Sequence, residues 1–176
     1  TQGFALSLNH GDYPFVTSRD ITPSALLSDT GIPPQYHRKT IGVMRTYPIR
    51  VGGNSGQTHS SEISWGEIEK RSGSTHQIQE YSTVTKRPRR VFEQDHTTLE
   101  HAITITKPDE IALMFVDYLD AGDYGKSVFG DLSPKSKEYI FQLEERLQVP
   151  ITLIGTGPEG NHIIDRRSEH NVIVKR

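Results

Sequence analysis

Ile111-Ala112-Leu113-Met114-Phe115-Val116, closed by Asp117, is the stretch on which the fold turns. A continuous apolar run bounded by a carboxylate fits a strand buried in the middle of a sheet. Downstream, Ser133-Pro134 opens a helix, and Tyr139, Ile140, Leu143 and Leu147 recur on one of its faces. That helix ends before Pro150, where Ile151-Thr152-Leu153-Ile154 forms a second buried strand running into Gly155-Thr156-Gly157-Pro158. Strand, helix and strand in this order predict a βαβ unit. The fold class is therefore α/β, with a mostly parallel central sheet and flanking helices.

Upstream the signals are weaker. Ser64 with Glu67 three positions on is a capping box, predicting a short helix to Arg71, with 72–74 as a linker. Residues 41–51 hold β-branched and apolar side chains around Tyr47-Pro48 and read as one irregular strand; 35–44 is expected to begin helical. Gly52-Gly53-Asn54-Ser55-Gly56 is a flexible loop. Thr22-Pro23 supplies an N-cap and a first-position proline for a helix to about Asp29, stopped at Gly31. Phe4, Leu6 and Leu8 alternate with small or polar residues, which predicts a half-buried strand broken by Asn9-His10-Gly11-Asp12. The chain opens on Thr1-Gln2-Gly3 as though a structure were already under way, so its beginning is expected to lie elsewhere.

Composition narrows the function. Across 176 residues there are no cysteines and one tryptophan, and 20 basic against 22 acidic side chains give a formal charge of -2. That length suits one domain or part of a larger one. The missing cysteine removes thiolate metal sites and cysteine nucleophiles. No run approaches the ~18 apolar residues of a membrane span, and the balanced charge argues against nucleic acid as a partner. A cytoplasmic location is expected.

Three stretches are candidates for chemistry. Residues 2–22 gather amides, hydroxyls, His10 and Arg19 around glycines, either as a ligand loop or as an ordinary set of turns. Thr83-Val84-Thr85-Lys86-Arg87-Pro88-Arg89-Arg90 places four cations within five positions beside hydroxyls, which suits a compact anion, a solvated charge run, or a nucleic-acid patch. Glu93 and Asp95 follow at once and argue against nucleic acid. Gly155-Thr156-Gly157-Pro158-Glu159-Gly160 matches G-x-G-x-x-G, but proline interrupts it and the chain has no room for the acidic ribose ligand, so the dinucleotide reading is rejected. A nucleotide contact at the strand's carboxyl end stays open, and Asp117 occupies the matching place on the other strand. Phosphate-loop, zinc-protease and serine-hydrolase signatures are absent, and His96 and His101, five apart, do not share a helical face as metal ligands.

Taken in order, Thr1-Gln2-Gly3, residues 9–18, Arg50-Val51-Gly52, residues 83–90 and Thr156-Gly157-Pro158 resemble the carboxyl-terminal half of adenylosuccinate synthetases, across essentially the whole chain. The ending, Ile163-Ile164-Asp165-Arg166-Arg167, is most similar to compact archaeal and phage forms. The resemblance implies a phosphate-loop-NTPase-like fold and a two-step ligation. GTP phosphorylates the 6-oxygen of IMP, and the amine of aspartate displaces the phosphate. It implies Gln2 as the catalytic residue beside the purine 6-oxygen, and Gln2, Thr17, Val51, Gly52 and Arg87 around the purine monophosphate. It implies Thr83, Val84, Thr85, Lys86, Arg87 and Arg89 around aspartate. For the nucleoside triphosphate it implies Arg89, Phe115, Asp117, Gly155, Thr156 and Gly157. It also implies Mg²⁺ held by residues of the amino-terminal half with no metal ligand in this chain, a homodimer, and small-molecule substrates as partners.

Three departures bear on substrates. The family's phosphate loop, its catalytic aspartate and its histidine lie in the other half, and His10 belongs to a different motif. Lys86 stands where the family has glycine, and Pro88 where it has arginine. Phe115 replaces the lysine two residues before the base-reading aspartate. Phage synthases of the 2-aminoadenine pathway, which join aspartate to dGMP with ATP, share the lysine. The IMP enzyme ranks first, the phage-type enzyme is the alternative, and a non-catalytic nucleotide-binding fragment comes third.

Overall fold

The computed structural model describes residues 3–170. Two sheets organise it. The larger has strand order β1-β5-β6-β7, built from β1 (Ile41–Arg45), β5 (Glu110–Met114), β6 (Ile151–Gly155) and β7 (Ile163–Asp165). β1, β5 and β6 run parallel, and β7 returns antiparallel at the edge. The smaller sheet has order β2-β4-β3, from β2 (Ile49–Val51), β3 (Glu62–Ile63) and β4 (Arg89–Phe92), all antiparallel.

The βαβ unit forms as the pattern predicts. Helix α4 (Pro134–Leu147) is capped by Ser133, whose hydroxyl accepts from the Ser136 N–H, and it buries Ile140, Leu143 and Leu147. These pack with Leu113, Ile151 and Ile154, all deeply buried, so one apolar layer joins the helix to both strands. Full burial of each such side chain is worth about 1.5–3 kcal/mol, enough to fix which face of each strand points inward. Helix α1 (Pro23–Thr30) has Thr22 as N-cap and Gly31 in the left-handed conformation at its end. Helix α2 (Trp65–Ser72) has Ser64 accepting from the Glu67 N–H, with Gly73 closing it.

Several expectations are corrected. Residues 4–8 form no strand: Phe4–Leu6 is a single 3-10 turn. The Leu6 and Ser7 N–H groups bond to Gly3 and Phe4, Leu6 O accepts from Thr17 and the Leu8 N–H donates to Arg19 O, so these groups pair within a turn and with the following loop rather than in a sheet. Residues 35–44 are helical only in one 3-10 turn, Pro34–Tyr36, before the chain extends into β1. The single strand expected over 41–51 is two strands in different sheets, because the chain turns at Thr46-Tyr47-Pro48. β5 stops at Met114, since Phe115 is left-handed (φ 65°) and starts a 3-10 turn over Val116–Tyr118. The sequence reading assigns no element to α3 (His96–Thr106), whose N-cap Asp95 accepts from the Thr98 N–H at 3.0 Å.

Candidate active site

The carboxyl ends of β5 and β6 lie side by side and carry the first group of predicted residues. Thr46 donates its hydroxyl to the Phe115 carbonyl at 2.7 Å, holding that left-handed residue at the end of β5. The Arg45 guanidinium lies 3.6 Å from the Phe115 ring centroid, and Tyr118 packs on the same ring. Phe115 thus stacks, as its chemistry predicts, and its partner is a cation of the protein itself. Asp117 is half-buried, and its Oδ1 has no hydrogen-bond partner among the described residues. Burial pushes its carboxyl up to about 6, against the opposing pull of Arg45 and His162.

β6 delivers Gly155 to the same place, where a Cβ would collide with the Met114 methyl group. Gly157 sits so close to His162 that a Cβ would come within 2.5 Å of Nδ1. That nitrogen is buried and unpartnered among the described residues. Thr156 is different. Its hydroxyl bonds to the Lys126 and His162 carbonyls at 2.7 and 3.1 Å, and its N–H and C=O pair with His162 and Gly125. Its polar groups serve the turn, so it shapes the site rather than offering it a side chain.

Residues 81–88 form a hairpin. Tyr81 bridges Pro88, the Ser82 N–H donates to Arg87 O at 2.9 Å, and Ser82 Oγ accepts from the Arg87 N–H at 3.0 Å. Lys86 is left-handed with φ 53°, a conformation that favours glycine. Thr83, Val84, Thr85, Lys86 and Arg87 are exposed, and among the described residues the Arg87 guanidinium has no hydrogen bond or ion pair. Arg89 is half-buried, donating to Glu80 at 3.1 Å. The Trp65 indole donates to the Arg89 carbonyl at 2.8 Å and pins the strand from below.

The loop over 9–20 is braced by Asp20, which accepts from the Ser7 hydroxyl at 2.7 Å and the Asn9 N–H at 2.9 Å. Those bonds hold its carboxyl below the usual carboxylate range. Thr17 is half-buried and donates its N–H to Leu6 O at 2.8 Å. Asp12 lies 3.8 Å from Arg50, and Phe15 fills the space beside Gly56. Across the same glycine loop, the Gly52 N–H donates to Pro88 O at 2.9 Å and Arg90 donates to Gly56 O at 2.5 Å. The loop over 9–20 therefore packs at Gly56 and the hairpin at Gly52, the two ends of residues 52–56, and Val51 pairs with Arg89 in β4. No hydrogen bond or ion pair joins Thr17 to residues 83–89 among the described residues. Gln2 lies outside the described residues.

Sequence reasoning missed Glu80, Arg45 and Tyr118. The Glu80 carboxylate receives Arg45, Arg89 and the Tyr118 hydroxyl, yet the residue stands six positions before Lys86 with no local pattern to mark it. An open groove of about 760 Å³ runs past Trp65, Gln79 and Arg89 but is lined by neither Thr17 nor Asp117. Among the described residues no group of three His, Asp or Glu side chains converges as a metal cluster.

Residues 1–126 match the sequence profile of the family described as adenylosuccinate synthetase. The chain belongs to the adenylosuccinate synthetase family. The enzyme of Archaeoglobus fulgidus is 41% identical over 169 residues, covering 96% of this chain and 48% of that protein. The synthetase of Methanocaldococcus jannaschii is also 41% identical, over 96% of this chain and 47% of its own length. The chain thus spans about half the length of the curated relatives it matches. Among solved structures, the cyanophage S-2L succinoaminodeoxyadenylate synthetase (PurZ), bound to dGMP and dATP as an energy donor, is 31% identical with a TM-score of 0.71. It covers 97% of this chain and 47% of that one. The fully ligated Plasmodium falciparum adenylosuccinate synthetase superposes with a TM-score of 0.79 over 94% of this chain and 48% of that one; at 24% identity it speaks to the fold alone.

Proposed function

We propose that the protein carrying this chain is a C–N ligase of purine nucleotide biosynthesis. It joins L-aspartate to the 6-carbon of IMP, with GTP as phosphate donor, through a 6-phosphoryl intermediate. The observation that carries this reading is the pairing of an exposed arginine hairpin with a glycine loop against which the 9–20 loop also packs. A cationic loop beside a glycine wall suits a small dianion next to a nucleotide phosphate. Family membership supports the reaction class.

In this reading Thr17 binds the nucleotide phosphate, and Val51 and Gly52 wall the purine nucleoside. Thr83, Val84, Thr85, Lys86, Arg87 and Arg89 surround aspartate, with Arg87 also reaching the purine monophosphate and Arg89 the triphosphate. Gln2 acts as the catalytic residue at the purine 6-oxygen. Asp117 accepts base N–H groups, with Phe115, Gly155, Thr156 and Gly157 shaping the base end. As charge builds on the purine oxygen and the transferred phosphoryl group, fixed cations and amides stabilise it without rearranging. The triphosphate is proposed to arrive with Mg²⁺, whose ligands the family resemblance assigns to the amino-terminal half. The protein acts as a soluble cytoplasmic homodimer, for which sedimentation of the complete protein should give twice the subunit mass.

A second reading has its own support. Phe115 stacks on Arg45 and offers the donor base no polar contact, and Lys86 occupies a left-handed hairpin position. The missing polar contact favours ATP over GTP as donor, and Lys86, a lysine that phage synthases of the 2-aminoadenine pathway share, favours dGMP as acceptor. Incubating the complete protein with aspartate plus IMP/GTP or dGMP/ATP decides between them by mass of the succinylated nucleotide. Product from dGMP/ATP alone replaces the first reading with the second; product from neither rejects the ligase.

A further inference from the structure

We propose that Glu80 is a positioning residue that locks Arg89 at the base of the hairpin to the base-contacting turn after β5, so that the two ends of the triphosphate subsite act as one unit. The identity of the ligands rests on the ligase reading above; the coupling itself rests on geometry.

Three donors from three parts of the fold meet on this one carboxylate. Arg45, at the end of β1, pairs with Oε1, and so does the Tyr118 hydroxyl at 3.1 Å from the turn beside Asp117. Arg89, at the start of β4, reaches Oε2 at 3.1 Å. The Glu80 carbonyl also accepts from the Arg89 N–H at 2.8 Å, so backbone and side chain of Glu80 both hold the same residue. Arg45 in turn covers Phe115 and donates Nε to the Tyr47 carbonyl at 3.2 Å. Glu80 is 15% exposed, against 19% and 27% for the two arginines, so the trio is poorly screened by water.

A carboxylate offers about four lone-pair sites, and here three are taken by groups from three separate parts of the fold. Without the negative charge, two guanidinium groups are left facing each other with no anion between them. Arg45 then loses the partner that keeps it flat on Phe115, and Arg89 loses the one that aims it. A carboxylate that merely cements the two sheets predicts lost stability with no selectivity among substrates. A positioning carboxylate predicts a selective loss at the triphosphate.

The test uses the complete protein with Glu80→Gln, and with Tyr118→Phe as a milder variant that keeps both ion pairs. Glu80→Gln should weaken ATP or GTP binding by about tenfold or more, with a smaller loss for Tyr118→Phe, while KM for the purine monophosphate changes less than about threefold. In a double-mutant cycle, Arg89→Ala and Phe115→Ala should be non-additive for triphosphate affinity on the native background and additive once Glu80 is Gln. Equal weakening of all substrates, or an additive cycle in the native protein, overturns the proposal. Triphosphate binding is read by calorimetry with non-hydrolysable analogues, independently of ligation. A native protein that binds a triphosphate but makes no succinylated product therefore sinks the ligase reading while the cycle still decides Glu80. A native protein that binds neither triphosphate overturns both.

Discussion

Asp117 is a carboxylate half-buried at a strand's end with one oxygen unpaired, a costly arrangement unless a ligand completes it. Burial raises its pKa from 3.8 to about 6 in the folded protein. Between those values the native state holds a proton that the unfolded chain has released, so this group's contribution to stability falls as pH rises from about 4 to about 6. The stability difference between Asp117→Asn and the native protein should therefore grow over that window and then level off, as read by urea denaturation at several pH values. Ligand N–H donors need the ionised form, so triphosphate affinity should drop as pH falls below about 6. A flat affinity profile from pH 5 to 7 removes Asp117 from the base site. Arg87 is the complementary case, an exposed cation with no partner among the described residues. Arg87→Ala should weaken aspartate and nucleotide binding by roughly 1.5–3 kcal/mol, the size of a charge-assisted contact, with little change in melting temperature.

Among the elements, the hairpin over 81–88 and the glycine loop over 52–56 depend on each other's backbone. The Gly52 N–H bonds to Pro88 O, and the same carbonyl leaves no room for a Cβ at position 52. Gly52→Ala should cost about 1–3 kcal/mol of stability as the two backbones part, and should raise KM for aspartate in the complete protein. Denaturation and steady-state kinetics report the two effects separately. Helices α2 and α4 were legible in sequence because their caps are local: Ser64 and Ser133 each bond to an N–H three residues on. The Phe4–Leu8 alternation misled because a period of two over five residues is also compatible with a turn that satisfies its own backbone.

Across the molecule, the two sheets meet where the chain passes from β1 to β2, and Thr46 is the buried hinge of that passage. Its N–H donates to Met114 O at 3.2 Å, its hydroxyl to Phe115 O at 2.7 Å, and its carbonyl accepts from the Tyr139 hydroxyl at 3.3 Å. One residue thereby ties β1, the turn after β5, and α4. Thr46→Val keeps the shape and removes the hydroxyl, leaving the Phe115 carbonyl without that partner. A destabilisation of about 1–3 kcal/mol is expected, together with weaker triphosphate binding, measured by urea denaturation and calorimetry. Unchanged stability would mean the left-handed turn at Phe115 holds itself.

Hydrophobic period, caps and proline placement are properties of neighbours in the chain, and they set out the β5–α4–β6 unit and helices α1 and α2, while the ordered motifs carried the family resemblance. The smaller sheet, the split of residues 41–51 between two sheets, and the meeting of Glu80 with Arg45, Arg89 and Tyr118 were decided by the tertiary structure. Glu80 is 35 residues from one of those partners and 38 from another, and a charge pairs with whatever the folded backbone brings within reach. Periodicity records which face a side chain presents; it holds no information about which distant side chain will be waiting there.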